Sequence, residues 1–128
     1  MKQFEIRVND DVGSLQKVAE ALANNGINII SISSERVPGK NAFLKLVTND
    51  IDKTRDVMNL ERFVYKESDF IMVTLKDQPG ELLKITRMLS GSGINIESLY
   101  VLNKREGSTD VAVIVDKMDQ AREALKNL

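Results

Sequence analysis

The sequence predicts an α+β protein built from two copies of one β-α-β-β-α-β unit, and three observations lead to that class. First, the chain repeats itself after 67 positions without insertion or deletion, so that Gly26-Ile27-Asn28-Ile29 aligns with Gly93-Ile94-Asn95-Ile96. Second, residues 4–9 alternate apolar and charged side chains, which is typical of a half-buried strand. Third, apolar residues between 15 and 23 recur at helical spacing.

The first unit, residues 1–67, is predicted to contain every element of this ferredoxin-like plan. Its helices are recognised by their apolar stripe and by Asn49 or Asp50 as a cap, and its strands by alternation and flanking turn residues. The predicted order is a strand at 4–9, a helix at 15–23, strands at 27–36 and 42–48, a helix at 50–58 and a strand at 62–66.

The second unit, residues 68–128, repeats the plan without its last strand. Its predicted elements are a strand at 70–76, a helix at 80–91, strands at 94–104 and 109–116, and a helix at 117–127. Three arrangements follow: the sheet keeps three strands, residues 62–66 join it, or another chain fills the gap. Both sheets are expected to be antiparallel, with the helices on one face.

The second strand of each unit changes the parity of its apolar residues at the same aligned position. In the first unit Ile27 and Ile29 have one parity and Ile30 and Ile32 the other, with the switch assigned to Ser31, and in the second unit the switch is at Ser98. A β-bulge would produce this change, and so would burial of both faces of the strand. In either case, the second strand is expected at a distinctive edge of its sheet.

Size and composition limit the function classes. Units of about 60 residues bury only about 60% of their unfolded surface, so we expect the halves to share an interface, and pairing with a second chain into a homodimer would bury more. The absence of histidine and cysteine excludes disulfides, thiol chemistry and histidine-centred metal sites or bases. A net charge of −1 gives no nucleic-acid footprint, and no membrane segment or secretory signal is present, so we expect a cytoplasmic location.

The most informative motif joins the first strand of the second unit to its first helix. In Asp77-Gln78-Pro79-Gly80-Glu81-Leu82, proline and glycine allow a sharp turn directly before an amphipathic helix. Gly93 then stands where a left-handed residue ends that helix. Asp10-Asp11-Val12-Gly13 is the matching, more degenerate turn of the first unit.

This motif, followed by Gly93-Ile94-Asn95-Ile96 on a βαββαβ plan, resembles the ACT domain, a small-molecule-binding regulatory module of amino-acid metabolism. The likeness covers nearly the whole chain twice. It implies that units pair side by side, and that a free amino acid binds between the turn of one unit and the second strand of its neighbour. No catalytic residue, metal or cofactor is expected, because no pairing of side chains identifies a nucleophile or a base and no ligand spacing suggests a metal site.

The resemblance implies one set of ligand-binding residues in each unit. The N–H groups around Gly80 and Glu81 suit an α-carboxylate, Asp77 suits an α-ammonium, and asparagines offer donors and acceptors. The candidates are Asp77, Gln78, Pro79, Gly80, Glu81, Leu82, Asn95 and Ile96 in the second unit, and Asp10, Asp11, Val12, Gly13, Asn28 and Ile29 in the first. Each also has a structural interpretation: a turn that binds nothing, an asparagine that pairs edge backbone, and Lys104-Arg105-Glu106 as a solvated hairpin tip.

Functions of different classes remain to be compared. The leading hypothesis is a non-catalytic module that binds an amino acid and signals to a separate metabolic enzyme. The alternative is an interaction module that has lost its pocket in one or both units and pairs through open strand edges. RNA binding is disfavoured because the central strands offer only Phe43 for stacking. Catalysis is disfavoured because no pairing of side chains identifies a nucleophile or a base.

Overall fold

The computed structural model describes every residue from Met1 to Leu128. The chain forms two compact units, Lys2–Ser68 and Asp69–Leu128, with Met1 grouped with the second. No helix combines the length and the apolar character needed to cross a lipid bilayer. The elements are β1 (Lys2–Asn9), α1 (Ser14–Asn24), β2 (Ile29–Val37), β3 (Asn41–Thr48), α2 (Ile51–Leu60) and β4 (Val64–Asp69), then β5 (Ile71–Lys76), α3 (Glu81–Gly91), β6 (Ile96–Arg105), β7 (Ser108–Val115) and α4 (Met118–Leu125).

The first unit is a four-stranded sheet in the order β2-β3-β1-β4, with β3 antiparallel to both β1 and β2. Because side chains alternate along a strand, one face carries Phe4 and Leu46, which are paired across β1 and β3. These residues are fully buried with Leu22 of α1 and Met58 of α2. The expected β-α-β-β-α-β plan, with both helices on one face, is confirmed.

The second unit is a three-stranded sheet in the order β5-β7-β6. Its core joins Val113 of β7 to Ile85 and Leu89 of α3 and to Ala121 of α4, and all four are fully buried. The expected absence of a fourth strand of its own is confirmed, because the sheet has three strands within this chain. Completion of the sheet by another chain stays a prediction. The arrangement in which residues 62–66 complete this sheet is wrong, because β4 lies beside β1 in the first sheet.

Three helices end with the same backbone closure, known as a Schellman motif. Gly26 and Gly93 follow α1 and α3 with φ angles of 68° and 70°, as the sequence predicted. Arg62 takes this position after α2 with φ 58°, and it is the only non-glycine residue with a positive φ. The N–H groups of Arg62 and Phe63 bond to Asn59 O and Met58 O at 3.2 and 3.0 Å. A fourth strand beginning at 62 is therefore wrong, and β4 begins at Val64 because the helix closure uses the two residues before it.

A β-bulge accounts for the parity change in both second strands. The pairing register shifts between Ile29 and Ser31 on β2 and between Ile96 and Ser98 on β6. Ile30, the extra residue in the first unit, is 47% exposed, so burial of both faces is not the cause. Both bulged strands lie at an edge of their sheet, as expected.

Substitution of Leu89 by alanine tests the core of the second unit. We expect Leu89→Ala to lower the free energy of unfolding by about 2–5 kcal/mol, because a fully buried side chain is truncated and leaves a cavity. Leu83→Ala is the matched control on the same helix, since Leu83 is 48% exposed and should change stability by about 0.5 kcal/mol or less. Urea unfolding followed by circular dichroism measures both, and equal losses would contradict this description of the core.

Candidate functional site

The first helix of each unit begins at a left-handed glycine that leaves backbone N–H groups without acceptors. Gly13 and Gly80 have φ angles of 87° and 89°, and neither helix has a side-chain cap. The N–H of Lys17 bonds to Gly13 O at 3.0 Å, and that of Lys84 to Gly80 O at 3.2 Å, while the two N–H groups before each lysine bond to no atom of the chain. Such a helix start favours an anion through its N–H groups and its dipole.

Helix α2 shows what a closed helix start looks like in the same chain. The Asp50 side chain accepts a hydrogen bond from Lys53 N at 2.9 Å, so the chain supplies its own anion there. Of the two capping candidates, Asp50 is therefore the cap. The starts of α1 and α3 lie at the two predicted ligand turns, and neither has such a side chain.

The leading aspartates of the two turns have different partners. Asp10 accepts two hydrogen bonds from the Arg36 guanidinium, at 2.7 and 2.9 Å, and a third from Gly39 N at 3.2 Å. The Arg36 hydrogen bonds lower the pKa of the Asp10 carboxyl below its ordinary value. Asp77 is 46% exposed and pairs with Lys104 at 3.4 Å. Asp10 thus ties its turn to the β2–β3 hairpin, whereas Asp77 is open to solvent on one side.

The remaining turn residues differ in exposure. Val12, Gln78 and Pro79 are exposed, and Leu82 is exposed to 48%. Glu81 is only 8% exposed, and its carboxylate lies 2.7 Å from Lys84 Nζ on the next turn of α3. In the first unit Ser14 occupies the position of Glu81, and Asp11 is an exposed acid beside it.

The two asparagines hold equivalent backbone positions at the start of the second strands. Asn28 N donates to Asn49 Oδ1 and Asn95 N to Asp116 Oδ1, both at 3.0 Å. Each asparagine carbonyl accepts a return bond from the same partner residue, at 3.1 and 3.2 Å. Both asparagine side chains are exposed. The residue that directly follows each asparagine, Ile29 or Ile96, packs against the core of its unit.

Within either unit, the turn residues and the second-strand residues lie at opposite ends of the sheet. The first turn follows Asn9, which pairs with Asn41 at the start of β3, whereas Ile29 pairs with Thr48 at its end. Seven residues of extended chain separate these ends, a distance of about 23 Å. The pairing of Lys76 with Ser108 and of Ile96 with Val115 gives the same separation in the second unit. Neither unit brings its two sets of candidate residues together.

A cleft of about 690 Å³ lies at the turn of the first unit. Three of the predicted residues line it, namely Asp11, Val12 and Gly13. Sequence reasoning missed the charged residues beside them, Arg7 and Lys17, and it placed Arg62 in a strand. A second cleft, of about 390 Å³, lies at the far end of α3 in the second unit and is lined by Thr86, Ser90, Gly93, Ile94, Asn95 and Ile96.

Comparison with known proteins agrees with this architecture. The family model described as ACT domain matches residues 2–61 and 70–127. The chain belongs to the ACT domain family. The two matched segments correspond to the two units of the fold, so this is a tandem ACT protein. No curated protein sequence matches the chain significantly.

Solved structures with the same fold extend the comparison. The protein BT0572 from Bacteroides thetaiotaomicron is 26% identical, with a TM-score of 0.89 over 98% of this chain and 86% of that one. The ligand-free regulatory subunit of aspartate kinase from Thermus thermophilus is 20% identical, with a TM-score of 0.66 over 98% and 91%. The corresponding subunit from Thermus flavus is 20% identical, with a TM-score of 0.63 over 98% and 88%.

The hairpin tip of the second ACT unit contains a buried charge. The Asp110 carboxylate, 6% exposed, accepts hydrogen bonds from Thr74 Oγ1 at 2.7 Å and from the Arg105 guanidinium at 2.6 and 2.9 Å. These bonds lower the pKa of the Asp110 carboxyl. The residues Lys104, Arg105 and Glu106 are exposed, as expected of a solvated tip. The Arg105 side chain, 51% exposed, also pairs with the acid that is buried on β7, a contact that the sequence did not predict.

Replacement of glycine by alanine tests the two helix starts. We expect Gly13→Ala and Gly80→Ala each to cost about 1–2 kcal/mol, because an L-residue is strained at these positive φ angles. No atom lies within 4 Å of an added Cβ at either site, so the cost is one of backbone conformation. Gly91→Ala is the control: Gly91 lies in α3 without a positive φ and should gain about 0.5–1 kcal/mol. Thermal unfolding measures all three variants. An equal loss of stability at Gly13, Gly80 and Gly91 would contradict the assignment of the first two to left-handed helix starts.

Acid titration tests the buried Asp110. Since its folded-state pKa lies below the ordinary value of 3.8, the carboxylate stabilises the protein above that pH and ceases to do so as the pH falls further. We expect Asp110→Asn to lower Tm at pH 7, with the difference from the parent protein narrowing between about pH 4 and pH 2. Asp119→Asn is the control, because Asp119 is fully exposed in its ion pair with Arg122. A difference that stays constant with pH would show that the ionised form of Asp110 is not the stabilising one.

Proposed function

We propose that this chain is a non-catalytic regulatory module that binds a free amino acid and signals to a separate enzyme of amino-acid metabolism. The observation that carries the proposal is the pair of helix starts at Gly13 and Gly80, where backbone N–H groups remain without acceptors. An α-carboxylate is the group of a free amino acid that such a helix start favours. Membership of the ACT domain family and the cleft at the first turn support the same role.

A regulatory role also agrees with the proteins that share the fold. Two of them are regulatory subunits of aspartate kinase, from Thermus thermophilus and Thermus flavus. The acids at the turns offer little for catalysis, because Asp10 is held by Arg36 and Asp77 pairs with Lys104. The chain has neither histidine nor cysteine to act as a base or a thiol nucleophile at pH 7. We therefore propose binding rather than turnover.

A second candidate function applies to the second ACT unit. Its turn already contains two internal ion pairs, Asp77 with Lys104 and Glu81 with Lys84. These pairs favour an interaction module that has lost its ligand in that unit, although its turn sequence is the better match to the family motif. The bulged edge strand β6 would then offer unpaired backbone groups to another chain.

Thermal unfolding in the presence of each of the twenty amino acids tests the proposal. An amino acid at a hundred times its dissociation constant should add about 2.7 kcal/mol to the free energy of unfolding. For two units of this size, that corresponds to a rise in Tm of several degrees or more. A rise with one amino acid or a related group would support the proposal. If none of the twenty changes Tm, the interaction module becomes the better account.

A further inference from the structure

The cleft of the first ACT unit is lined by an excess of positive charge. Arg7 at the end of β1, Lys17 on the first turns of α1 and Arg62 after α2 all line it, and Asp11 is the only acid among the lining residues. The chain as a whole carries a net charge of −1, so this surplus is local. It adds to the positive end of α1, whose N–H groups lack acceptors beyond Gly13.

None of these three cations has an ion-pair partner within the chain. Most other arginines do, as Arg36, Arg55 and Arg105 pair with carboxylates at 2.6–2.7 Å. Arg62 moreover occupies a left-handed position that glycine fills after α1 and α3. A non-glycine residue there costs stability, and such strain persists most often where a side chain serves a function.

The second ACT unit shows which chemical group pairs with the lysine on the first turns of this helix. Lys84 is the counterpart of Lys17, and it is neutralised at 2.7 Å by Glu81, which is 8% exposed. Glu81 replaces Ser14 of the first unit in the repeat, so one helix start carries its own carboxylate and the other does not. Thr74 is the counterpart of Arg7 in the repeat, and its hydroxyl donates a hydrogen bond to Asp110. In the first unit no carboxylate of the chain pairs with Lys17, which leaves this position open to a carboxylate from outside the chain.

We infer that the first-unit cleft selects an amino acid whose side chain carries a second carboxylate, an inference that rests on the proposed function. The helix start and Lys17 receive one carboxylate, Arg62 balances the other, and Asp11 faces the α-ammonium. A neutral amino acid brings a single carboxylate and leaves most of these cations uncompensated. The second unit binds no such ligand, because Glu81 already neutralises its lysine.

Isothermal titration of the full chain with L-aspartate, L-glutamate, L-asparagine, L-glutamine and succinate tests this inference. We expect an acidic amino acid to bind about tenfold or more tightly than its amide, at one site per chain, since hydrogen bonds to charged groups contribute most. Succinate, which lacks the ammonium that Asp11 faces, should bind more weakly than L-aspartate. Raising the salt concentration should weaken binding, because the charges are exposed.

Two variants and a matched control locate the site. Ser14→Glu installs the carboxylate that Glu81 provides in the second unit, and an acid in the first turn of a helix preserves folding. Arg62→Gly removes a cation from a left-handed position where glycine is unstrained, so its Tm should not fall. Each should weaken binding of the acidic amino acid about tenfold or more. Arg87→Gln, an exposed and unpaired arginine on α3, removes the same charge and should change affinity less than about twofold.

The possible results separate this inference from the proposed function. Preferential binding of an acidic amino acid, lost in Ser14→Glu and Arg62→Gly but kept in Arg87→Gln, supports both. Preferential binding of a neutral amino acid overturns the inference and leaves the proposed function standing. Unchanged affinity in Ser14→Glu, or succinate as good as L-aspartate, also overturns the inference. If none of the twenty amino acids raises Tm and none of the titrants binds, both are overturned.

Discussion

Burial of a central strand between two antiparallel partners is the interaction on which each ACT unit depends. Strand β3 lies between β1 and β2, and β7 lies between β5 and β6. Every residue of β7 from Asp110 to Val115 is buried, and Leu44 and Leu46 of β3 are almost inaccessible to solvent. The buried face of the central strand fixes its pairing register with both neighbours. That register in turn determines which strand ends lie side by side. The end of β1, the β2–β3 hairpin and the start of α1 come together as a consequence.

The site of the first unit follows from that register. Asp10 leaves β1 at the hairpin and is held there by Arg36 and Gly39, which keeps its carboxylate away from the helix start. The neighbouring acid, Asp11, is left to line the cleft. The position of β4 beside β1 then brings the residues that precede β4 to the same end of the sheet. The cleft is thus formed by elements that the central strand aligns.

The two units have diverged in charge more than in backbone. Both helix starts have left-handed glycines with φ angles that differ by only 2°, and both second strands carry a bulge at the same aligned position. Yet the second unit pairs Glu81 with Lys84, while the first leaves Lys17 without a carboxylate. A duplicated scaffold can therefore retain its geometry while a single aligned position, serine in one unit and glutamate in the other, changes what the turn can bind.

The sequence by itself determined the features that are local or periodic along the chain. The repeat gave the two units, helical and alternating patterns gave the order of elements, and Gly26 and Gly93 marked helix ends because only glycine is unstrained in the left-handed region. The parity change at Ser31 and Ser98 limited the second strands to a bulge or to burial of both faces, and the register shift in the structure decided for the bulge. The turn residues around Gly13 and Gly80 likewise predicted that a helix starts directly after each of these glycines.

Only the tertiary structure decided the contacts between distant residues. Arg7 lies on β1, Lys17 on α1 and Arg62 between α2 and β4, and their position along one cleft depends on strand order. The sequence analysis placed Arg62 in a strand, whereas it closes α2 with a positive φ. An arginine gives no sequence signal for that left-handed conformation, as a glycine would. The charge pairs of Asp10 and Asp110 depend in the same way on which hairpin lies beside them. Local patterns specify where the chain turns, whereas a binding site depends on which turns the packed sheet brings side by side.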